Sequence, residues 1–269
     1  MKLNRHFLPW VSVLLLLTIW QFFPALISHE QARLFPTPRD LIRLMADPNP
    51  LIAGFADNQN PWLLLLHFAW NTLWRVFVGV GIALLIAYPI GLVIGLVALL
   101  NCAIGPVLRW FAALSPVAWL PLGMLVIAND NSLAVFLVVV SIGFSLAIAT
   151  ANSVANIDPQ LIETARTLGV SGLSRITRVI IPATLPESFF TIRLNLLAAW
   201  MAVLIAEVVG LQQKNWGLGS LVWQGRQSAN YSVVILGMVC LATLGLLADK
   251  AFHLVQFRFL WWRNSSRQD

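Results

Sequence analysis

Along this 269-residue chain, long uncharged apolar runs alternate with shorter polar segments. A helix needs about 20 apolar residues to cross a hydrocarbon core of about 30 Å. The pattern therefore predicts an all-α polytopic membrane protein with six transmembrane helices. The spans are expected near residues 7–28, 73–99, 110–128, 132–152, 194–211 and 228–248. A short turn before Arg109 separates the second and third, and Asn129, Asp130 and Asn131 form the turn before the fourth. In the second span, Gly79, Gly81, Gly91 and Gly95 make a small-residue face that lets another helix approach closely.

The first run follows Lys2, Arg5 and His6, as the apolar core of a signal peptide would. It is too long for one, and no small-x-small cleavage site ends it, so an uncleaved span is expected. Residues 29–60 are proline-rich and of mixed charge, which predicts an external loop with one short amphipathic helix near residues 39–45. Residues 212–227 read as a polar outer loop. The organisation is then a first span and external loop over residues 1–70, a core of five spans over 71–254 and a tail over 255–269. Residues 153–192 form a polar loop within the core.

Within that loop, residues 158–186 are the one long, sharply punctuated polar stretch. Asp158 is a good N-cap, Pro159 suits the first helical position, and Gly169 accepts the positive φ that ends a helix. Ser171 offers a second N-cap, and Pro182 and Pro186 are expected to stop or kink the second helix. Two short helices around a tight turn result, placed where the chain meets something soluble. A helical hairpin lying on the membrane surface, with Arg175 and Arg178 facing lipid phosphates, is the other reading.

Composition agrees with the hydropathy pattern. With 59% hydrophobic and 10% charged residues, the chain departs from a soluble domain, which carries about 25% charged residues. The net charge of +6 does not point to nucleic acid, because the basic residues are not clustered with aromatics in a polar domain. They follow the positive-inside rule instead. Most of the 17 basic residues fall at the termini, near Arg109, or at Arg166, Arg175, Arg178 and Arg193, so these segments are read as cytoplasmic. Cys102 and Cys240 lie in or beside apolar runs and read as small buried hydrophobes. No metal-ligand or zinc-peptidase spacing involves the four histidines, and no G-x-x-x-x-G-K-[ST] phosphate loop is present.

Two features inside the spans are candidates for chemistry. Residues Ser115, Pro116, Trp119 and Pro121 break the third span, and a broken helix at membrane depth needs neighbours or a water-filled cavity to satisfy its backbone. They are candidate pathway residues, with Trp200 added from the fifth span; a kinked packing helix around a buried Trp119 is the alternative. Glu207, near the outer end of the fifth span, is the second candidate, with a structural carboxylate as its alternative. Arg75, near the outer end of the second span, would guide an anion or snorkel at the interface.

Glu163, Ala165, Gly169 and Pro182 stand at the spacing of the "EAA" signature of bacterial ABC importer permeases, with Thr164 in place of the middle alanine. The chain resembles the membrane subunit of a type I ABC importer over nearly its whole length. Residues 115–121, the Leu73-Trp74-Arg75 run, Ala206-Glu207 and Gly217-Leu218-Gly219 resemble the nitrate, sulfonate, taurine and bicarbonate group within it. The resemblance implies a homodimer in the bacterial inner membrane with both termini cytoplasmic. It implies two cytoplasmic ATPase subunits, holding ATP and Mg, docked on Glu163, Thr164, Ala165, Arg166, Gly169 and Pro182, and an external solute-binding protein. The chain itself would bind no cofactor and no metal. A small anion is the implied cargo, with nitrate or nitrite favoured and sulfonates, taurine or bicarbonate as alternatives. An ion-coupled secondary transporter would instead show internal repeats and paired ionisable residues at mid-membrane, and neither is found.

Overall fold

The computed structural model describes residues 8–23, 36–46, 60–209 and 216–259, and regular structure among them is helical throughout. In chain order the helices are α1 (Leu8–Phe22), α2 (Pro38–Ala46), α3 (Pro61–Leu96), α4 (Ala98–Ala112), α5 (Pro116–Val126), α6 (Asp130–Ala155), α7 (Pro159–Thr167) and α8 (Gly172–Arg175). A π-helical turn, Ile176–Ile180, leads into α9 (Ile181–Val209), followed by α10 (Leu218–Gln227) and α11 (Tyr231–Phe259). Among the described residues four helical stretches are long and apolar enough to span a membrane: α3, α6, Gly172–Val209 and α11. The pair α4 and α5, bent by 94°, makes a fifth. Of the first expected span the described part carries α1, 15 residues long; residues 7 and 24–28 lie outside the described residues.

The chain divides into two compact units, residues 1–70 with 216–243 and residues 71–215 with 244–269. In the first, α2 lies against α1, burying Leu41 and Leu44, and the Trp20 indole donates to the Pro36 carbonyl at 3.1 Å. Asp40 accepts from both the amide and the hydroxyl of Thr37 at 2.8 Å, closing the start of α2. The polar outer loop expected over residues 212–227 is corrected here. Residues 218–227 form α10, because Leu218, Leu221 and Gly225 recur at helical spacing and are buried. A Cβ on Gly237 of α11 would stand 2.6 Å from the Val222 side chain, so the two helices touch.

The second unit is a bundle whose directions follow from pairwise contacts. A Cβ on Gly79 of α3 would stand 2.5 Å from Val138, one on Gly91 2.5 Å from the Ala147 carbonyl, and one on Gly95 2.6 Å from Val154. Sequence position rises together on both helices, so α3 and α6 run parallel. The bent α4–α5 pair must therefore carry the chain back between them and counts as one crossing. Pairing of Tyr88 with Thr184 and of Arg75 with Glu207 makes α9 antiparallel to α3. Arg193 meets Asp249 and Phe189 meets Phe252, so this part of α11 runs antiparallel to α9. The core lies where these helices converge, with Leu137, Ile142, Leu146, Ile192 and Val203 fully buried.

The predicted small-residue face is the α3–α6 contact, at three of its four glycines; around a Cβ on Gly81 there is nothing within 4 Å. Gly91→Leu is expected to destabilise the protein by about 1–3 kcal/mol or more, because helix backbone cannot give way as a flexible side chain does. The check is thermal unfolding of detergent-purified protein, with Gly81→Leu near wild type as the control.

Two expectations for the later spans are corrected. The turn near Arg109 is instead at Val97, and Gly105, Pro106 and Arg109 all lie within α4. Pro182 and Pro186 neither stop nor break the helix, which continues from Gly172 to Val209 over 38 residues. The π-helical turn just before Pro182 widens the spiral where a proline ring would meet the preceding turn. Hydroxyl groups take up nearby carbonyls: Thr184 donates to Ile180 at 3.0 Å, Tyr88 to Ile181 at 3.3 Å and Ser188 to Thr184 at 3.2 Å. Cys102 is exposed on α4, which corrects its expected burial, and Cys240 is half-buried.

Candidate functional site

Three places in the second unit carry the residues singled out from sequence. At the end away from α7, Arg75 and Glu207 form an ion pair of 2.6 Å, with side chains 2% and 1% exposed. The same carboxylate oxygen accepts from Thr72 at 2.8 Å, and the guanidinium donates twice to the Asn131 side chain, at 2.9 and 2.7 Å. One network thus ties α3 to the start of α6 and the end of α9. Arg75 is neither exposed nor snorkelling; its charge is neutralised inside the protein, which corrects both sequence readings of it. Thr72 and Asn131 were not singled out from the sequence. The available signal was charge balance, since one cation and one anion stand in similar positions near the ends of two apolar runs.

The second place is the bend between α4 and α5. Ser115 caps α5 by accepting from the Val117 amide at 3.4 Å, and Pro116 occupies the first turn, where it removes no needed donor. Pro121 lies inside α5, and Ser115 is exposed. Trp119 packs against Phe111 of α4 and Phe144 of α6, with ring centroids 5.6 and 5.8 Å away. Those two phenylalanines stack on each other at 5.3 Å. The Trp119 indole nitrogen is buried without a hydrogen-bond partner, and so is that of Trp200 on α9.

The third place is the polar stretch after α6. Asp158 caps α7 by accepting from the Gln160 amide at 2.8 Å, with Pro159 in the first turn. Gly169 has φ +76°, and the Val170 amide reaches back to the Ala165 carbonyl at 2.9 Å, closing the helix end. Ser171 has the extended backbone of an N-cap but makes no side-chain cap bond. Gly172 has φ +58° as well, a second left-handed position that sequence reading passed over although Ser-Gly is a turn dipeptide. Ala165 is buried within the chain, whereas Glu163 and Arg166 are exposed and 4.0 Å apart, a surface pair of little energetic weight. Leu168 and Leu173, 76% and 80% exposed, stand out on either side of the two glycines. Between the end of α6, the start of α7 and α9 lies a cavity of about 690 Å³, lined among others by Ser145, Asn152, Asn156, Asp158 and Glu187. Pro182 is distant in sequence from the Glu163 helix and belongs to the long helix that leaves this stretch.

A short exposed helix, rigidly capped at both ends and joined directly to a 38-residue crossing helix, is suited to pass a push from a soluble partner into the membrane. A family model described as "binding-protein-dependent transport system inner membrane component" matches residues 87–260, which include this whole stretch. The chain belongs to that family. Family members are the membrane permease component of ABC importers, multi-pass helical proteins working with substrate-binding and ATPase partners, and ATP is hydrolysed in the separate ATPase subunit.

Among its relatives, this inner membrane component is 29% identical over 252 residues to the bicarbonate transport system permease protein CmpB of Synechococcus elongatus, covering 93% of this chain and 87% of the relative. It is 28% identical over 251 residues to the nitrate import permease protein NrtB of Leptolyngbya laminosa, covering 92% and 86%. In fold it is similar to a chain of the MetNI methionine ABC transporter, solved in inward facing conformations, with a TM-score of 0.56 at 19% identity. That likeness covers 74% of this permease and 99% of the solved chain. The expected all-helical importer-permease architecture is thereby established. Among the described residues no group of three His, Cys, Asp or Glu side chains is placed to hold a metal ion.

Proposed function

We propose that this permease carries a small planar oxyanion, bicarbonate or nitrate, across the bacterial inner membrane, driven by ATP hydrolysis in its partner. The observation that carries the reading is the similarity to a bicarbonate and a nitrate permease over more than nine-tenths of the chain. Residues 71–254 act as the transport core, and two copies of the chain form the membrane channel. Residues 153–192 lie in the cytoplasm, as do both termini, in keeping with the distribution of Lys and Arg. Each of two ATPase subunits docks on α7 and the turn after it, through Glu163, Thr164, Arg166 and the exposed Leu168, while Ala165, Gly169 and Pro182 set the angle between docking helix and crossing helix.

The cargo passes the α4–α5 bend at Ser115, Pro116, Trp119 and Pro121, with Trp200 beside it, and leaves through the polar cavity near Asp158 and Glu187. Glu207 acts differently: held by Arg75 and Thr72, it braces the far end of the bundle and does not touch the cargo. The test is uptake of labelled bicarbonate and labelled nitrate by cells with and without the gene for this chain. Uptake of at least one of them is expected to depend on the gene. Identical uptake of both anions in the two strains would overturn the assignment.

A further inference from the structure

We propose that the indole N–H groups of Trp119 and Trp200 are the hydrogen-bond donors that meet the oxygen atoms of the transported anion, forming a neutral recognition site inside the bundle. The inference rests on the oxyanion reading above and adds the residues and the kind of contact.

Indole nitrogen donates and never accepts, so a buried indole N–H has only one way to be satisfied. Both nitrogens are buried and have no partner, and Trp200 is only 8% exposed as a whole. Such orphans are rare, because burying a donor without an acceptor costs at least as much as a lost hydrogen bond. Several buried hydroxyls of the same unit are paired: Thr72, Thr150, Thr184 and Ser188 all have hydrogen-bond partners. The Arg175 Nε and the Gln256 Oε1 of the same unit are also buried without a partner, but of these side chains only the two tryptophans belong to the central hydrophobic cluster.

Position supports a functional reason. Trp119 lies on α5 three residues after Pro116, in a crossing bent by 94°, where the regular helix gives way. Its ring packs against both Phe111 and Phe144, so it cannot swing towards a backbone carbonyl without breaking those contacts. Trp200 lies on α9, which packs against α5, and both tryptophans belong to one hydrophobic cluster. Two donors in an apolar setting are what an anion can use where water is excluded.

Charge points the same way. Arg75, the buried cation of this unit, is committed to Glu207 at 2.6 Å. The arginines of the unit at positions 109, 166, 178, 193 and 258 are exposed, and Arg175, half-buried with its Nε unpaired, stands on α8 just after the Gly169 turn. Neutral donors bind an anion less tightly than cations do, since a salt link adds charge to the hydrogen bond. A carrier that must release its cargo with every cycle gains from that weakness.

The decisive experiment replaces Trp119 or Trp200, one at a time and together, with β-(3-benzothienyl)alanine, which keeps the fused-ring shape and puts sulfur where the N–H stands. Uptake of labelled bicarbonate and labelled nitrate is measured in cells holding the whole importer, alongside thermal unfolding of the purified permease. Each replacement is expected to lower uptake about tenfold, the weight of one hydrogen bond to a charged group, with unfolding temperature unchanged or raised because an orphan donor is gone. Wild-type uptake in the doubly substituted protein would overturn the inference and leave the oxyanion reading intact. A parallel loss of uptake and unfolding temperature would overturn it too, marking both rings as packing alone. Should wild-type cells take up neither anion, the inference falls together with the reading on which it rests.

Discussion

Glu207→Ala is expected to destabilise this permease by about 3–5 kcal/mol, because it leaves the Arg75 guanidinium buried without its counter-charge. The prediction rests on the geometry of the pair, 2.6 Å apart with both side chains almost fully excluded from solvent. In such a setting each ion has already lost its hydration, and only the partner offsets that cost. The loss should spread beyond one contact, since Thr72 and Asn131 share the same polar atoms and tie three helices together. Replacing both members at once with apolar residues of similar volume, Arg75→Met with Glu207→Leu, removes both charges and is expected to recover most of the stability. Thermal unfolding in detergent distinguishes the cases: a single variant that melts like wild type would sink the idea of a brace.

The second large effect belongs to coupling. Gly169→Val places a β-branched residue at φ +76°, a conformation that costs an L-residue about 1–2 kcal/mol and more when the side chain is branched. Nothing lies within 4 Å of the new Cβ, so the strain is one of backbone and not of crowding. The turn is expected to relax, changing the angle at which α7 meets the crossing helix. Uptake should fall about tenfold or more while the ATPase subunit still hydrolyses ATP, since a shift near 1.4 kcal/mol is already a factor of ten. Leu168→Asp serves as the companion variant, because it leaves φ alone and alters only an exposed apolar surface. It should weaken co-purification of the ATPase, whereas Gly169→Val should retain the partner and lose transport. Full uptake in Gly169→Val would remove the turn from the coupling mechanism.

Much of the local structure of that turn was legible in the chain itself. Asp158 before Pro159, and Gly169 after a helical segment, specify an N-cap and a left-handed C-terminal turn by covalent geometry alone, and both occur as expected. The fate of Pro182 and Pro186 was not legible in the same way. A proline's missing donor is a local fact, but whether the helix survives it depends on hydroxyls from Tyr88, Thr184 and Ser188, one of them nearly a hundred residues away. The same limit explains α10. Its buried positions are spaced for a helix, yet Trp216, Gly217 and Gly219 beside polar glutamines read as a loop until burial is known.

By itself the sequence determined the class of molecule. Apolar run length decides whether a segment stays in a bilayer, charge distribution biases its orientation, and the signature from Glu163 to Pro182 marks an importer permease, the family to which the chain belongs. These properties are summed over neighbours in the chain, so they need no fold to be read. Tertiary structure alone decided which polar groups inside the membrane are satisfied and which are not. Arg75 and Glu207, separated by 132 positions, cancel each other only once α3 and α9 lie antiparallel, whereas the buried N–H groups of Trp119 and Trp200 are left unpaired. Pairing between distant residues is set by packing, and in a low-dielectric interior that pairing decides whether a polar side chain braces the protein or is left unsatisfied.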